Sequence, residues 1–361
     1  MRFPEFTEEW ESVLLEDVAE FQKKRISSDL LNNSNYISTE NILQNFGGVQ
    51  NSISIPANTN VIEYQRGDVL LSNIRPYLKK VWLSDRHGGC SADVFVLRGN
   101  QCERRFLYYV IASDRFINFV MSGAKGVKMP RGDKSQMEKF TFFIPTNVEQ
   151  KKIAMFLSML DERIRLQNKI IEDLKKLKSA IYQEIFGSLV AQTLELGQVA
   201  EIIKGKQVNG TELLEQGEYY VMNGGTTPSG WLNRYNTEAN TISISEGGNS
   251  CGYVQYNTSR YWSGGHCYSL RILHPQETLD LYLYHFLKWQ EDNIMALRIG
   301  SGLPNIQKKD LLRFPVILPV INKQKSIISI LSVIDAKMAC DILLTEHYVI
   351  QKKYLLRKLF I

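Results

Sequence analysis

The sequence predicts an α/β (α+β) protein assembled as a pseudo-two-fold tandem repeat: two similar mixed α/β domains joined by two long antiparallel coiled-coil helices. Three observations lead there. Ile144-Pro145, Gln150-Lys151-Lys152-Ile153 and Leu157-Ser158-Met159-Leu160-Asp161 return 174 positions later as Leu318-Pro319, Gln324-Lys325-Ser326-Ile327 and Leu331-Ser332-Val333-Ile334-Asp335. Leu15-Glu16-Asp17-Val18-Ala19-Glu20 returns 181 positions later as Leu196-Gly197-Gln198-Val199-Ala200-Glu201. Behind each copy of the tail motif, apolar residues recur in alternating steps of four and three, with no Pro or Gly to break a helix. The repeat divides the chain into 1–147, 148–187, 188–321 and 322–361.

Within 1–147, Val69-Leu70-Leu71-Ser72 and Val94-Phe95-Val96-Leu97 read as strands, with turns at Arg66-Gly67-Asp68 and His87-Gly88-Gly89. A helix near Arg105–Val120 and a loop holding Gly126 and Pro130 follow. Val148 to Phe186 reads as one helix of about 39 residues, roughly 58 Å long at 1.5 Å per residue, and Gly187 stops it. Its seam is Ile153, Leu157, Leu160, Ile164, Gln167, Ile171, Leu174, Lys178, Ile181 and Ile185, the pattern of a coiled coil with two polar positions. In 188–321, Thr241–Ser245, Gly252–Tyr256 and Tyr268–Ile272 read as strands, followed by a helix near Leu279–Leu297 and a loop holding Gly300 and Pro304. The second seam is Ile327, Leu331, Ile334, Met338, Asp341, Thr345, Tyr348, Lys352, Leu355 and Leu359, polar at the counterparts of Gln167 and Lys178. Such positions weaken a pairing and fix its register and partner. A helix this long outruns the face of one domain, so the two helices are expected to pair antiparallel and to act as a ruler between the domains.

A chain of 361 residues is enough for two to three domains, each with a sizeable core. The N-terminal Met1-Arg2-Phe3-Pro4-Glu5 has no apolar run behind it to act as a signal peptide. No stretch approaches the roughly 20 apolar residues that span a bilayer. Five cysteines without a Cys-x-x-Cys pair fit free thiols in a reducing cytoplasm, the expected location. The net charge of +5 permits a polyanionic partner if the cations cluster.

They do cluster, in loops of both globular parts. The first part offers Asn73, Arg75, Tyr77, Lys79, Lys80 and Arg86, then Lys125, Lys128, Arg131 and Lys134. The second offers Lys204, Lys206, Asn223, Trp231, Arg234, Tyr235, Asn249, Tyr253 and Arg260, then Arg298, Ser301, Asn305, Lys308 and Lys309. Arg, Lys and Asn match guanine and adenine edges in a major groove, and further cations neutralise phosphate. The span from the start motif to the tail motif is 127 residues in one copy and 120 in the other, so the loops are not equivalent and their ligands are expected to differ.

Sequence signals for catalysis are missing. There is no Asn/Asp-Pro-Pro-aromatic strip for holding a flipped adenine. Lys204-Gly205-Lys206-Gln207 lacks the first Gly and the hydroxyl of a phosphate-cradling loop, and Gly247-Gly248-Asn249-Ser250-Cys251-Gly252 is no dinucleotide fingerprint. Glu149-Gln150-Lys151 and Asp335-Ala336-Lys337 echo the tail of a metal-nuclease motif but have no Pro-Asp partner, and read as surface charges. His266-Cys267 and His87/Cys90 fall short of four-ligand zinc spacing. No metal and no cofactor are expected in this chain.

The half-start pattern, the Pro closing each globular part and the doubled Gln-Lys-x-Ile-x3-Leu-Ser-x-[Leu/Ile]-Asp helix opening resemble the specificity subunits of type I restriction-modification systems. The resemblance covers the whole chain. It implies two target recognition domains, 1–147 and 188–321, each reading one half of a bipartite, asymmetric site in double-stranded DNA. It implies that the helices set the unread spacer and dock two adenine-methyltransferase subunits, which carry S-adenosylmethionine, and that motor-nuclease subunits join them. The second helix departs from the first at Thr345 and His347, where the first has Ile171 and Asp173, so the two docking surfaces differ. Two other readings stay open at this point: a non-catalytic scaffold with two protein-binding domains, and a stand-alone modification or nicking enzyme with an unfamiliar site.

Overall fold

The computed structural model describes residues 2–126, 128–300 and 302–359. It divides into two compact units: Met1–Asn168 together with Leu343–Ile361, and Lys169–Ile342. Compactness therefore divides the chain inside both long helices, and each unit holds one globular part with a segment of each helix.

In the first unit, Glu11–Leu14 pairs antiparallel with Thr141–Ile144, zipping the entry of the globular part to its exit. Between them lies an antiparallel sheet in the order Ala19–Phe21, Val94–Gly99, Val69–Ser72, Val81–Leu83. A second sheet runs Arg25–Ser27, Asn60–Tyr64, Gly88–Cys90, Tyr36–Ile37, its last pair parallel. The second unit repeats the plan. Gln192–Glu195 pairs with Pro315–Leu318, and the antiparallel sheet runs Ala200–Lys204, Cys267–Ile272, Thr241–Ser245, Val254–Asn257. Its smaller sheet has three strands, Trp231–Leu232, Tyr219–Met222 and Trp262–Ser263, so the two units diverge away from the helices. The strand expected from Gly252 begins at Val254 because Gly252 turns the chain at φ +93°.

The single helix expected near Arg105–Val120 is two, Arg104–Ile111 and Asp114–Ser122. Ser113 adopts an extended backbone and its side chain accepts the Phe116 amide, starting a new helix where a continuous one was expected. In the second unit Asp280–Trp289 and Glu291–Ala296 are likewise separated, at Gln290.

The long helices are Asn147–Gly187 and Ile321–Leu359. Ile153, Leu157 and Leu160 of the first and Leu355 and Leu359 of the second enter the core of the first unit with Leu15, Leu71, Phe106, Phe116 and Phe142. Tyr182 and Phe186 of the first and Ile327 and Leu331 of the second enter the core of the second unit with Leu196, Ile244, Tyr282 and Phe286. The other seam positions follow the same stripe. Ile171 and Asp341 are buried, and Ile164, Leu174, Ile181, Ile334, Met338 and Tyr348 are half-buried.

Both polar seam lysines have carboxylate partners. In the first unit Lys352 pairs with Asp161, which also accepts the Tyr109 hydroxyl at 2.8 Å. Arg163 donates to the Tyr348 hydroxyl at 3.0 Å, so the helix segments run in opposite directions there. In the second unit Lys178 pairs with Asp335. The two ion pairs are the same pair with the helices exchanged, because Asp161 and Asp335, like Lys178 and Lys352, are repeat counterparts.

The repeated glutamine is a clamp. Gln150 Nε2 donates to the Pro145 carbonyl and its Oε1 accepts the Glu103 amide, both at 2.8 Å. Gln324 Nε2 donates to the carbonyls of Pro319 and Glu277 at 2.8 and 2.7 Å, and its Oε1 accepts the Leu279 amide at 2.9 Å. Glu103 and Leu279 are the N-caps of equivalent helices, so each glutamine ties a long helix to its strand and to its domain. Glu149 corrects the reading of these motifs as surface charge. Its carboxylate is fully buried and takes two bonds from the Arg2 guanidinium, at 3.0 and 2.8 Å.

Candidate nucleic-acid interface

In the first unit the strand Val69–Ser72 runs into a loop whose backbone is bent at two charged residues, Arg75 (φ +51°) and Lys79 (φ +52°). Left-handed backbone is uncommon for residues with a Cβ, and here it brackets Pro76 and the exposed Tyr77. A second loop folds onto the first. Lys125 and Arg131 exchange backbone hydrogen bonds at 2.9 Å, and the Arg75 amide donates to the Pro130 carbonyl at 2.8 Å. Asn73 lies between the loops: its amide donates to the Asp93 carbonyl, its carbonyl accepts the Gly132 amide, and its side-chain Oδ1 is buried without a hydrogen-bond partner.

The second unit is built the same way with different side chains. Ile299 and Asn305 exchange backbone bonds at 2.9 and 3.0 Å, and the Gly248 amide donates to the Pro304 carbonyl at 3.0 Å. Asn249 and Arg298 are exposed beside this junction, and Asn305 Oδ1 accepts from Gln307 at 3.0 Å. Asn223 Oδ1 accepts the His266 amide at 3.0 Å. Tyr253 lies under the Lys288 ammonium, 4.1 Å from the ring centre. Trp231 is half-buried against Tyr220, and Tyr235 packs on Tyr219. Ser301 lies outside the described residues.

Most of the nominated cations already have partners. Lys79 pairs with Asp114, Lys125 with Asp133 at 2.7 Å, Arg131 with Asp93 at 3.3 Å and Lys134 with Glu138 at 3.5 Å. Lys204 pairs with Glu246 at 2.6 Å, Arg234 with Glu212 at 2.5 Å and Arg260 with Glu238 at 2.8 Å. Arg86 is held by Asp85 at 2.5 Å and by the Ser34 carbonyl, and Lys80 donates to the Thr39 carbonyl. The carboxylates respond. A hydrogen bond from Lys79, with charge from Lys79, Lys353 and Arg357, lowers the pKa of Asp114 despite its partial burial. A hydrogen bond from Lys125 lowers that of Asp133. Arg75, Lys128, Lys206, Arg298, Lys308 and Lys309 are exposed and have no ion pair among the described residues. These six can meet a polyanion without first giving up a carboxylate.

Met129 and Leu303 carry no charge and do not stand out by residue type. They are apolar, yet they sit exposed within the paired loops. The signal that could have found them is their place in the repeat, each directly before the repeated proline.

Among the described residues no group of three or more His, Cys, Asp or Glu is placed to hold a metal ion. Cys90, Cys102, Cys251 and Cys267 are buried free thiols, and burial raises the pKa of each. Cys340 is exposed. No helix among the described residues is long and apolar enough to cross a membrane.

The fold and its loops define a class: a repeated pair of α+β domains, each fused to segments of two long helices and each carrying paired loops rich in cations. The chain belongs to the type I restriction modification DNA specificity domain family, whose model matches residues 7–176 and 191–342. It is 38% identical over 144 residues to a putative type I specificity subunit of Mycoplasma pneumoniae, a match covering 40% of this chain and 38% of that protein. A putative type I restriction enzyme specificity subunit of Methanocaldococcus jannaschii is 23% identical over 74% of this chain and 72% of its own length. The fold is similar to the crystal structure of the S subunit of a type I restriction-modification system from M. genitalium. That comparison has a TM-score of 0.71 at 20% identity and covers 98% of this chain and 96% of that one. The match to the M. pneumoniae protein and that to a similar Mycoplasma genitalium protein span little more than a third of those relatives' lengths, 38% and 36%.

Proposed function

We propose that this chain is the non-catalytic DNA-specificity subunit of a type I restriction-modification complex, each globular domain reading one half of a bipartite, asymmetric site. The observation that carries this reading is the pair of loops joined by the same backbone bonds in both units and furnished with different side chains. A shared frame with unlike reading residues is what an asymmetric site requires. The unpaired cations Arg75, Lys128, Lys206, Arg298 and Lys308 contact phosphate or base edges, and affinity falls steeply with salt as counterions are released. Each well-read base pair contributes about 1–3 kcal/mol of discrimination.

The long helices set the unread spacer and dock two methyltransferase subunits. A second apolar stripe supports docking: Met155, Met159, Leu166, Ile170 and Leu177 of the first helix are exposed, at steps of four and seven, the spacing of a further helix-packing seam. S-adenosylmethionine is held by the methyltransferase subunits, which flip and methylate the adenine that this chain brings to them. Motor-nuclease subunits complete the restricting assembly, in the cytoplasm.

Co-expression with the neighbouring methyltransferase subunit, followed by mapping of methylated adenines across the host genome, tests the proposal. The expected result is one split, asymmetric motif with one adenine modified on each strand. A stable, soluble complex that leaves no new methylation overturns it in favour of a protein-binding scaffold.

A further inference from the structure

The paired loops carry a feature that base reading leaves unexplained. Each second loop is closed at its base by the backbone exchange described above and opens on a glycine in the left-handed region, Gly126 at φ +94° and Gly300 at φ +98°. A side chain there would be strained whatever space it had. Each loop ends on the proline whose carbonyl is fastened to the neighbouring loop. A residue directly before proline is biased toward extended backbone. That residue is Met129 in one loop and Leu303 in the other, 48% and 85% exposed. Neither belongs to a hydrophobic core cluster. Both loops therefore present a large apolar side chain to solvent between ends held by backbone hydrogen bonds, with the exposed cations Lys128 and Arg298 nearby in sequence.

We infer that Met129 and Leu303 are wedges, each inserting into the base stack of its own half-site and holding one step partly unstacked. The inference rests on the DNA-reading function proposed above. Apolar side chains enter base steps in this way and kink the duplex. A loop whose two ends are already held by hydrogen bonds loses less freedom on insertion than a free segment, and nearby cations neutralise the flanking phosphates. Unstacking one step lowers the cost of extruding the neighbouring adenine into a methyltransferase subunit.

The test uses the full chain in complex with its methyltransferase partner, on duplexes carrying the mapped site. 2-Aminopurine replaces one base at a time outside the methylated base pairs. The wild-type complex is expected to raise its fluorescence at one step in each half-site. Leu303→Ser should abolish the rise in the half-site read by the second domain only, and Met129→Ser in the other only. Each variant should slow methylation of its own half-site about tenfold while site affinity falls less than about threefold, because the cations remain. Leu303→Met should restore both signals, and unfolding midpoints should stay unchanged because both side chains are exposed. A fluorescence rise that survives both serine variants overturns the inference. So does sequence-specific binding without any unstacked step, or a serine variant that instead releases the methyltransferase partner. Absence of sequence-specific binding by the wild-type complex is a different result and overturns the DNA-reading function itself.

Discussion

Gln150 and Gln324 tie the long helices to their strands and domains through backbone hydrogen bonds. Each side chain is itself buried and holds backbone groups of two other segments. Gln324→Leu leaves the Leu279 amide and two carbonyls without their side-chain partner and should destabilise the chain by about 1–3 kcal/mol. Lys325→Ala, exposed next to it, should stay within about 0.5 kcal/mol; urea unfolding measures both. His285 makes a prediction about pH. Burial, and then the Lys178 charge, lower its pKa from 6.5 to about 4 against the opposing pull of Asp335, and its Nδ1 lies 2.9 Å from the Tyr182 hydroxyl. As pH falls the unfolded chain binds the proton first. Stability present above pH 6.5 is therefore lost down to about pH 4 and no further below it. Unfolding at pH 7 and pH 4 should show that drop in the wild type and a smaller one in His285→Gln; equal drops would contradict the assignment.

At the scale of the helices, the seam was legible because periodicity needs only neighbours, and the polar positions Lys178 and Lys352 stood out within it. Their partners did not, since Asp335 is 157 residues from Lys178 and no local pattern spans that distance. The same limit explains Glu149, which looked like surface charge because Arg2 lies 147 residues away. It also explains Lys79, Lys204, Arg234 and Arg260, whose carboxylates lie 22 to 42 residues away; Arg86 with Asp85 and Lys134 with Glu138 are local pairs. A misplaced helix register would set each lysine against apolar side chains at a desolvation cost, so the ion pairs select one alignment. Lys352 and Asp161 are 13% and 33% exposed, which places their coupling above that of a surface pair. A double-mutant cycle of Lys352→Met with Asp161→Asn should give about 1 kcal/mol. A value near zero would make the pair ornamental and leave the apolar seam alone to set register.

For the whole molecule, the repeat separates what must stay alike from what must differ. The clamps, ion pairs and loop closures recur in both units, whereas the smaller sheets and the loop side chains do not. If reading resides in the parts that differ, exchanging residues 1–147 for those of another family member should change one half-site and leave the other untouched. If the helices set the spacer, they make a sharper demand. The boundaries between the compact units fall after Asn168 in one helix and after Ile342 in the other, so residues added at both points leave each unit with its own core and its own ion pair. Four residues added only near Lys169 would lengthen one helix against an unchanged partner, at the expense of the seam. Four added at both points lengthen each helix by about 6 Å. At 3.4 Å per base pair that distance corresponds to about two base pairs. Methylome mapping of the doubly lengthened chain should therefore find both half-sites unchanged and the gap between them longer by about two base pairs. An unchanged gap would mean that something other than these helices measures the distance.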